Sequence, residues 1–357
     1  MPITILETLK GHSGSVSYIV AGGKENQGLV ATASDEDGTI RFWDLRTAPH
    51  RAVRSILIGK GLGIASCCFS APREEGAEDA TGAFYVSVGE RVLRYDLRAS
   101  TDVLIRKPTA PEDAAAGTFM QGARPAEDDD LNELAYSWVK MSAKKPAAPV
   151  IAAGCDDGAV YVFRADDGAE CKQLRGGHDN ICSCARWVPR SAGLLVSGGM
   201  DCVAALWDVR KGALLAKTSF KEEKPGMNVN PPFVNAIDMA QDGQHFAVAL
   251  GDGKIAAMEL EQQRGLRKVA VAEAHMAPAA GVCFLPWTKS KKRRIPLALS
   301  GGTDAMVAVS DFNGKKGGVV LASQGIGAKV NWITASQTEP YAFVATKSNE
   351  VSVVAFN

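Results

Sequence analysis

No stretch of this sequence approaches the roughly 18 consecutive apolar residues of a membrane-spanning helix, so no helical span is expected. The first ten residues, Met1 to Lys10, lack a basic segment leading into an apolar core, so no secretory signal is expected. Neither charge is in excess: 40 Lys+Arg face 40 Asp+Glu. General nucleic-acid binding rests on a Lys/Arg surplus and is therefore disfavoured. There are only five histidines, none in an H-E-x-x-H, and none of the eight cysteines forms a C-x-x-C. The standard zinc and dithiol motifs are thus missing. Adjacent Cys67 and Cys68 point to opposite faces of a strand and are poorly placed to share a metal. Cys182 and Cys184, two apart, share a face of a regular strand, which leaves a redox or metal role open. The cysteines otherwise read as free thiols packed as small hydrophobes in a reducing compartment. A soluble chain, cytoplasmic and/or nuclear, with no catalytic centre, cofactor or metal, is the expectation.

What the sequence does contain is a repeat. One copy runs through Gly11-His12, Val30-Ala31-Thr32-Ala33-Ser34, Asp37-Gly38-Thr39-Ile40-Arg41-Phe42 and Trp43-Asp44. A second runs through Gly177-His178, Leu194-Leu195-Val196-Ser197-Gly198-Gly199, Asp201 and Leu206-Trp207-Asp208. These residues resemble the GH…WD signature of the WD-repeat family, in which each repeat is one four-stranded blade of a β-propeller. Weaker copies place Tyr95, Phe163, Met258, Ser310 and a residue near Ala355 where the two full copies have Trp43 and Trp207. Most spacings are near fifty residues, so seven repeats use up the chain. The expected fold is all-β, a single seven-bladed WD-repeat β-propeller spanning residues 1–357.

One spacing, from Tyr95 to Phe163, is longer than the rest. It contains the stretch 106–130, rich in Pro, Ala, Gly and acid, which reads as a flexible acidic insertion between blades two and three. The last repeat stops after its third strand. The N-terminal run Ile3–Leu9 has strand composition and is expected to pair with Val351–Phe356, closing the ring.

In WD repeats the His, a Ser/Thr of the second strand, the turn Asp and the Trp form a hydrogen-bonded chain. The resemblance assigns these roles to His12, Thr32, Asp37 and Trp43, and to His178, Ser197, Asp201 and Trp207. A buried Asp and a buried indole N–H must both find partners, and a linked network supplies them. A Ser, a His and an Asp also suggest a hydrolase, yet the trio recurs in part as His275, Ser300 and Asp304. A catalytic triad has no reason to repeat around a ring. Gly59-Lys60-Gly61-Leu62-Gly63 lacks the rest of a P-loop and reads as a turn between blades.

Two surface features point to partners. Trp43-Asp44-Leu45-Arg46, Trp207-Asp208-Val209-Arg210 and the looser Tyr95-Asp96-Leu97-Arg98 resemble the WDxR box of WD-repeat substrate receptors of cullin-4 ubiquitin ligases. That resemblance implies docking on the ligase adaptor through Asp44, Arg46, Asp208 and Arg210. The partner face would then lie opposite, around Asn180, Met276 and Trp332. Lys289, Lys291, Lys292, Arg293 and Arg294 form a basic cluster, a nuclear-localisation or nucleic-acid patch in other contexts. The function expected is a non-enzymatic protein–protein interaction scaffold, a cullin-4 substrate receptor. The alternative is a constitutive subunit of a large cytoskeletal, ribosomal or organellar complex.

Overall fold

Short runs of apolar residues alternating with small or polar ones are cut by Gly- and Asp-containing turns, the pattern of antiparallel strands. The computed structural model describes residues 2–23, 26, 28–46, 50–71, 82–98, 102–106, 129–141, 146–222, 230–262, 264–291, 293–314, 317–337 and 339–356. The described strands form seven sheets, each with its earliest strand innermost except where noted.

Blade one holds β2 (Tyr18–Ala21), β3 (Leu29–Ser34), β4 (Thr39–Asp44) and β5 (Ala52–Leu57). Blade two holds β6 (Ile64–Phe69), β7 (Ala83–Val88) and β8 (Arg91–Asp96). Blade three holds β10 (Leu131–Val139), β11 (Ala148–Cys155), β12 (Val160–Arg164) and β13 (Glu170–Leu174). Blade four holds β14 (Cys182–Trp187), β15 (Leu194–Gly199), β16 (Val203–Asp208) and β17 (Ala213–Ser219). Blade five holds β18 (Val234–Met239), β19 (His245–Leu250), β20 (Lys254–Glu261) and β21 (Gly265–Glu273). Blade six holds β22 (Ala279–Leu285), β23 (Leu297–Gly302), β24 (Met306–Asp311) and β25 (Val319–Gly325). Blade seven holds β26 (Val330–Ala335), β27 (Tyr341–Thr346) and β28 (Glu350–Phe356), and takes its outer strand, β1 (Ile3–Lys10), from the other end of the chain.

The pairing of β1 with β28 is antiparallel, from Ile3 opposite Phe356 to Leu9 opposite Val351. The innermost strands touch in sequence around the circle, and β26 against β2 closes it. The apolar core is accordingly divided into one cluster per junction. Leu206 and Val196 of blade four, for example, pack on Phe246 and Met258 of blade five. Each such buried side chain contributes about 1.5–3 kcal/mol, so the ring is held by what lies between sheets.

Blade two departs from the pattern. Its described residues supply three strands. The next strand in the chain, β9 (Leu104–Ile105), runs beside blade one instead, parallel to β5 with Ser55 opposite Leu104. The stretch 107–128, most of the proposed insertion, lies outside the described residues.

One local expectation is overturned. Cys182 and Cys184 do not share a face, because a register shift falls between them where β14 pairs with β15. Cys182 packs in the core between blades three and four, Cys184 in that between four and five. Five other blades carry the same irregularity near the start of the innermost strand, as at Val234/Ala236 and Val330/Trp332. A β-bulge adds one residue and reverses the alternation beyond it. Cys67 and Cys68 do face opposite ways, into the cores on either side of blade two. All eight cysteines are free, and seven are buried. Burial pushes the thiols of Cys68, Cys155 and Cys184 up to about 12, which keeps them protonated and unreactive.

Candidate functional site

The recurring polar residues assemble beside the turns that link second and third strands. In blade one the His12 ring joins Asp37 through Nδ1 (2.8 Å) and Thr32 through Nε2 (2.8 Å). The Trp43 indole N–H donates to the same Thr32 Oγ1 at 2.8 Å. Blade four repeats this: His178 Nδ1 to Asp201 (3.2 Å), His178 Nε2 to Ser197 Oγ (2.8 Å), and Trp207 N–H to Ser197 Oγ (2.8 Å). One hydrogen placement satisfies each chain. The indole donates to the hydroxyl, the hydroxyl to Nε2 of a neutral imidazole, and Nδ1–H to an ionised carboxylate. Burial holds His12 below the ordinary histidine range, in keeping with the neutral ring, and hydrogen bonds hold Asp37 low against the effect of burial.

Blade six has a shortened version. His275 bonds Asp304 (3.2 Å) and Ser300 Oγ (2.8 Å), but the residue where Trp would stand is Ser310. Ser300 Oγ also lies 3.4 Å from the Ala308 carbonyl, as Thr32 Oγ1 lies from that of Arg41 in blade one. These trios have the connectivity of a hydrolase triad without its access. Ser197 is 0% exposed, and its oxygen already accepts the Trp207 N–H. A nucleophile must meet its substrate, and here the buried hydroxyl offers no surface on which to do so. The arrangement braces turns.

A second polar series escaped the sequence reading. At the same place near the start of successive innermost strands, one side chain donates to the main chain of the next blade. Ser66 Oγ reaches Asn132 O (2.8 Å), Asn132 Nδ2 reaches Cys182 O (3.0 Å), and Asn235 Nδ2 reaches Ala279 O (2.8 Å). Ser183 Oγ bonds Val234 O, and Asn331 Nδ2 bonds Val16 O (2.8 Å) across the closure. The sequence signal was a Ser or Asn recurring at positions 66, 132, 183, 235 and 331, hidden among longer-range patterns.

The W-D-x-R boxes span the ends of third strands, Trp and Asp being the last two strand residues, and so open on the face away from these turns. Arg46 donates to Asp44 from Nε (2.8 Å) and NH2 (2.6 Å), a bidentate pair that leaves the Arg46 side chain 64% exposed. The Arg46 guanidinium holds the Asp44 carboxyl down at about 2. Arg210 lies 3.6 Å from Asp208, a looser pairing that Lys211 shares. Arg46, Arg98 and Arg210 lie against Gly28, Gly82 and Gly193, all at positive φ. A Cβ there would meet the Arg chain at 2.7, 2.5 and 3.2 Å respectively, so the glycines seat the arginines.

Of the three residues placed on the opposite face, Asn180 and Met276 lie in exposed loops leading into blades four and six, Met276 being 98% exposed. Trp332 does not: it is partly buried in an innermost strand, its ring 4.6 Å from that of Tyr18. The bulge between Val330 and Trp332 turns it off the surface. The basic cluster is also changed by its neighbours. Lys289 pairs with Asp242 (3.1 Å), Arg293 with Asp311 (3.3 Å) and Arg294 with Glu259 (2.8 Å). Lys292 lies outside the described residues. Among those described, acids from elsewhere in the chain offset much of the positive charge a nucleic acid would seek. No group of three or more potential metal ligands occurs among the described residues.

Comparison with known proteins agrees with this geometry. A family model described as "WD domain, G-beta repeat" matches residues 3–44 and 169–208. Each match begins on the outer strand of one blade and ends on the third strand of the next, so sequence repeat and blade are offset by one strand. The "WD repeat-containing protein 53 homolog" of Dictyostelium discoideum is 25% identical over 285 residues, 74% of this chain and 68% of that protein. Among solved structures, the WD40 β-propeller domain of Doa1 superposes with a TM-score of 0.70 at 17% identity, covering 99% of this chain and 97% of that one. Seven sheets in a closed ring and two full His–Ser/Thr–Trp–Asp chains give this chain the fold of a seven-bladed β-propeller, with WD repeats matched at residues 3–44 and 169–208.

Proposed function

We propose that this propeller is a protein-interaction scaffold that works as a substrate receptor of a cullin-4 ubiquitin ligase. WD40 propellers serve as such scaffolds in general; the ligase is the finer reading. The observation that carries it is the exposed Asp44–Arg46 pair, repeated as Asp208–Arg210 at the equivalent place in blade four. A preorganised guanidinium that is still largely solvent-accessible is suited to a partner carboxylate or carbonyl. The opposite face, with Asn180 and the fully exposed Met276, is left for the protein to be recruited, in a cytoplasmic and/or nuclear setting. Trp332, partly buried inside the ring, drops out of that surface.

Affinity purification from native cells tests this. The ligase adaptor should be recovered with the wild-type chain and lost with Arg46→Ala plus Arg210→Ala. Recovery unaffected by the double substitution, or recovery of a stoichiometric complex free of ligase components, refutes the ligase reading. The second of these results favours a constitutive subunit of a larger assembly.

A further inference from the structure

Three charged side chains face one another where innermost strands converge, and none belongs to the chains or boxes described above. Glu133, on β10 of blade three, is 3% exposed. Its Oε1 accepts the Tyr18 hydroxyl of blade one at 3.0 Å and pairs with Arg186 of blade four. Its other oxygen, Oε2, is buried with no hydrogen-bond partner among the described residues. Asp238, on β18 of blade five, lies within the field of Arg186 and accepts the Phe284 N–H of blade six at 2.8 Å. Tyr18, Arg186, Asp238 and Trp332 line a cavity of about 70 Å³ at the same place.

We propose that this cluster is a proton-binding site: Glu133 and Asp238, beside the Arg186 guanidinium, share one proton in mildly acidic solution, and its loss across neutral pH loosens the grip of blades one, three and four on one another. The charge count carries the argument. Two carboxylates and one guanidinium leave a net negative charge where Glu133 is buried, Asp238 partly buried and Arg186 only a quarter exposed, so that an uncompensated charge is poorly solvated. The remaining ionisable groups facing the cluster are the Tyr18 phenol and the thiols of Cys67, Cys68, Cys184 and Cys283. Burial pushes all five up, so none carries charge at neutral pH and none supplies a cation. One bound proton restores neutrality, and it belongs to the pair of acids jointly. Burial outweighs Arg186 at both carboxyls, raising Glu133 to about 7 and Asp238 above its ordinary value.

The sign follows. An acid whose folded-state affinity for protons is raised contributes stability that is complete below its unfolded range, near 4.5, and lost as pH rises through about 7. One proton corresponds to as much as a tenfold rise in the unfolding constant per pH unit across that window. His12 and His275, held low by burial, act oppositely: their contribution is present above about 6.5 and lost on acidification. The readout is therefore the difference between wild type and variant.

The experiment is denaturant unfolding of the full chain at pH 5, 6, 7 and 8 for wild type, Glu133→Gln and Asp238→Asn. Removing either acid leaves one carboxylate and one guanidinium, neutral without a proton. Both variants should therefore lose the same component of the slope, up to tenfold in the unfolding constant per pH unit. A variant that keeps the wild-type slope overturns the proposal. Should a variant fail to fold, the infrared band of a protonated carboxyl in the wild type decides: present at pH 6 and lost by pH 8 supports the site, and absent at pH 6 refutes it. Tyr18→Phe removes a donor to the Glu133 carboxylate and should move that band's midpoint upward; an unmoved midpoint also refutes it.

Discussion

Blades four and two show how differently the same sheet can be kept in the ring. Blade four has four strands, a complete chain from Trp207 through Ser197 and His178 to Asp201, and an apolar core on each side. Blade two has three described strands, Tyr95 in place of Trp, and no His–Asp pair, while the next strand along the chain crosses to blade one. It is held from outside. Ser66 and Ser87 reach the Asn132 carbonyl of blade three, and Phe84 and Phe69 pack edge-on with each other and with Phe42 of blade one. Blade four is specified by its own repeat, blade two by its neighbours.

That contrast can be broken most severely at Trp207. Trp207→Ala should cost about 3–5 kcal/mol, the range for deleting a fully buried aromatic. A sharper version compares Trp207→Phe with Tyr95→Phe by chemical denaturation. The first removes the indole donor to Ser197 and leaves a smaller ring; the second removes one hydroxyl. The Trp207 change should be the more destabilising, and equal effects would mean the chain in blade four adds nothing to packing. Next in size is Ser197→Ala against Ser300→Ala. The first strands both the His178 ring and the Trp207 N–H, the second only the His275 ring. The difference should be about 1–3 kcal/mol, the cost of one more buried group left unpaired. The smallest effect belongs to the boxes. Arg46→Ala and Arg210→Ala should each change stability by about 1 kcal/mol or less, the first because a pair with so exposed a guanidinium contributes little, the second because Lys211 still pairs with the buried Asp208. A larger loss would make these arginines braces over Gly28 and Gly193 rather than contacts held ready for a partner.

Much of the ring was legible because its signals are local. Gly-His, the turn Asp and Trp-Asp mark strand ends within about thirty residues, and their recurrence counts the blades. The pairing of Ile3–Leu9 with Val351–Phe356 followed from a third strand with no successor. What stayed hidden depends on single-residue irregularities or on distant partners. The bulges that separate Cys182 from Cys184 and turn Trp332 inward leave no compositional trace. The acids that meet the basic loop, Asp242, Glu259 and Asp311, come from blades five and six, so the charge of that loop could not be judged from its own residues. Glu133, Arg186 and Asp238 stand about fifty residues apart, one per repeat, where no motif marks them.

The pairing of β1 with β28 also sets an order of events during synthesis. Ile3 lies opposite Phe356, so the earlier of the two strands leaves the ribosome long before its partner exists. At roughly 5–20 residues per second the interval is about 20–70 s, during which an extended strand with exposed Ile5 and Leu6 has no sheet to join. Blades one to six can form in that time from contacts between near neighbours in the chain, whereas the closing pair is among the most non-local contacts available. Until β28 is made, the ring is an open arc carrying an unpaired edge, the kind of surface most exposed to mispairing.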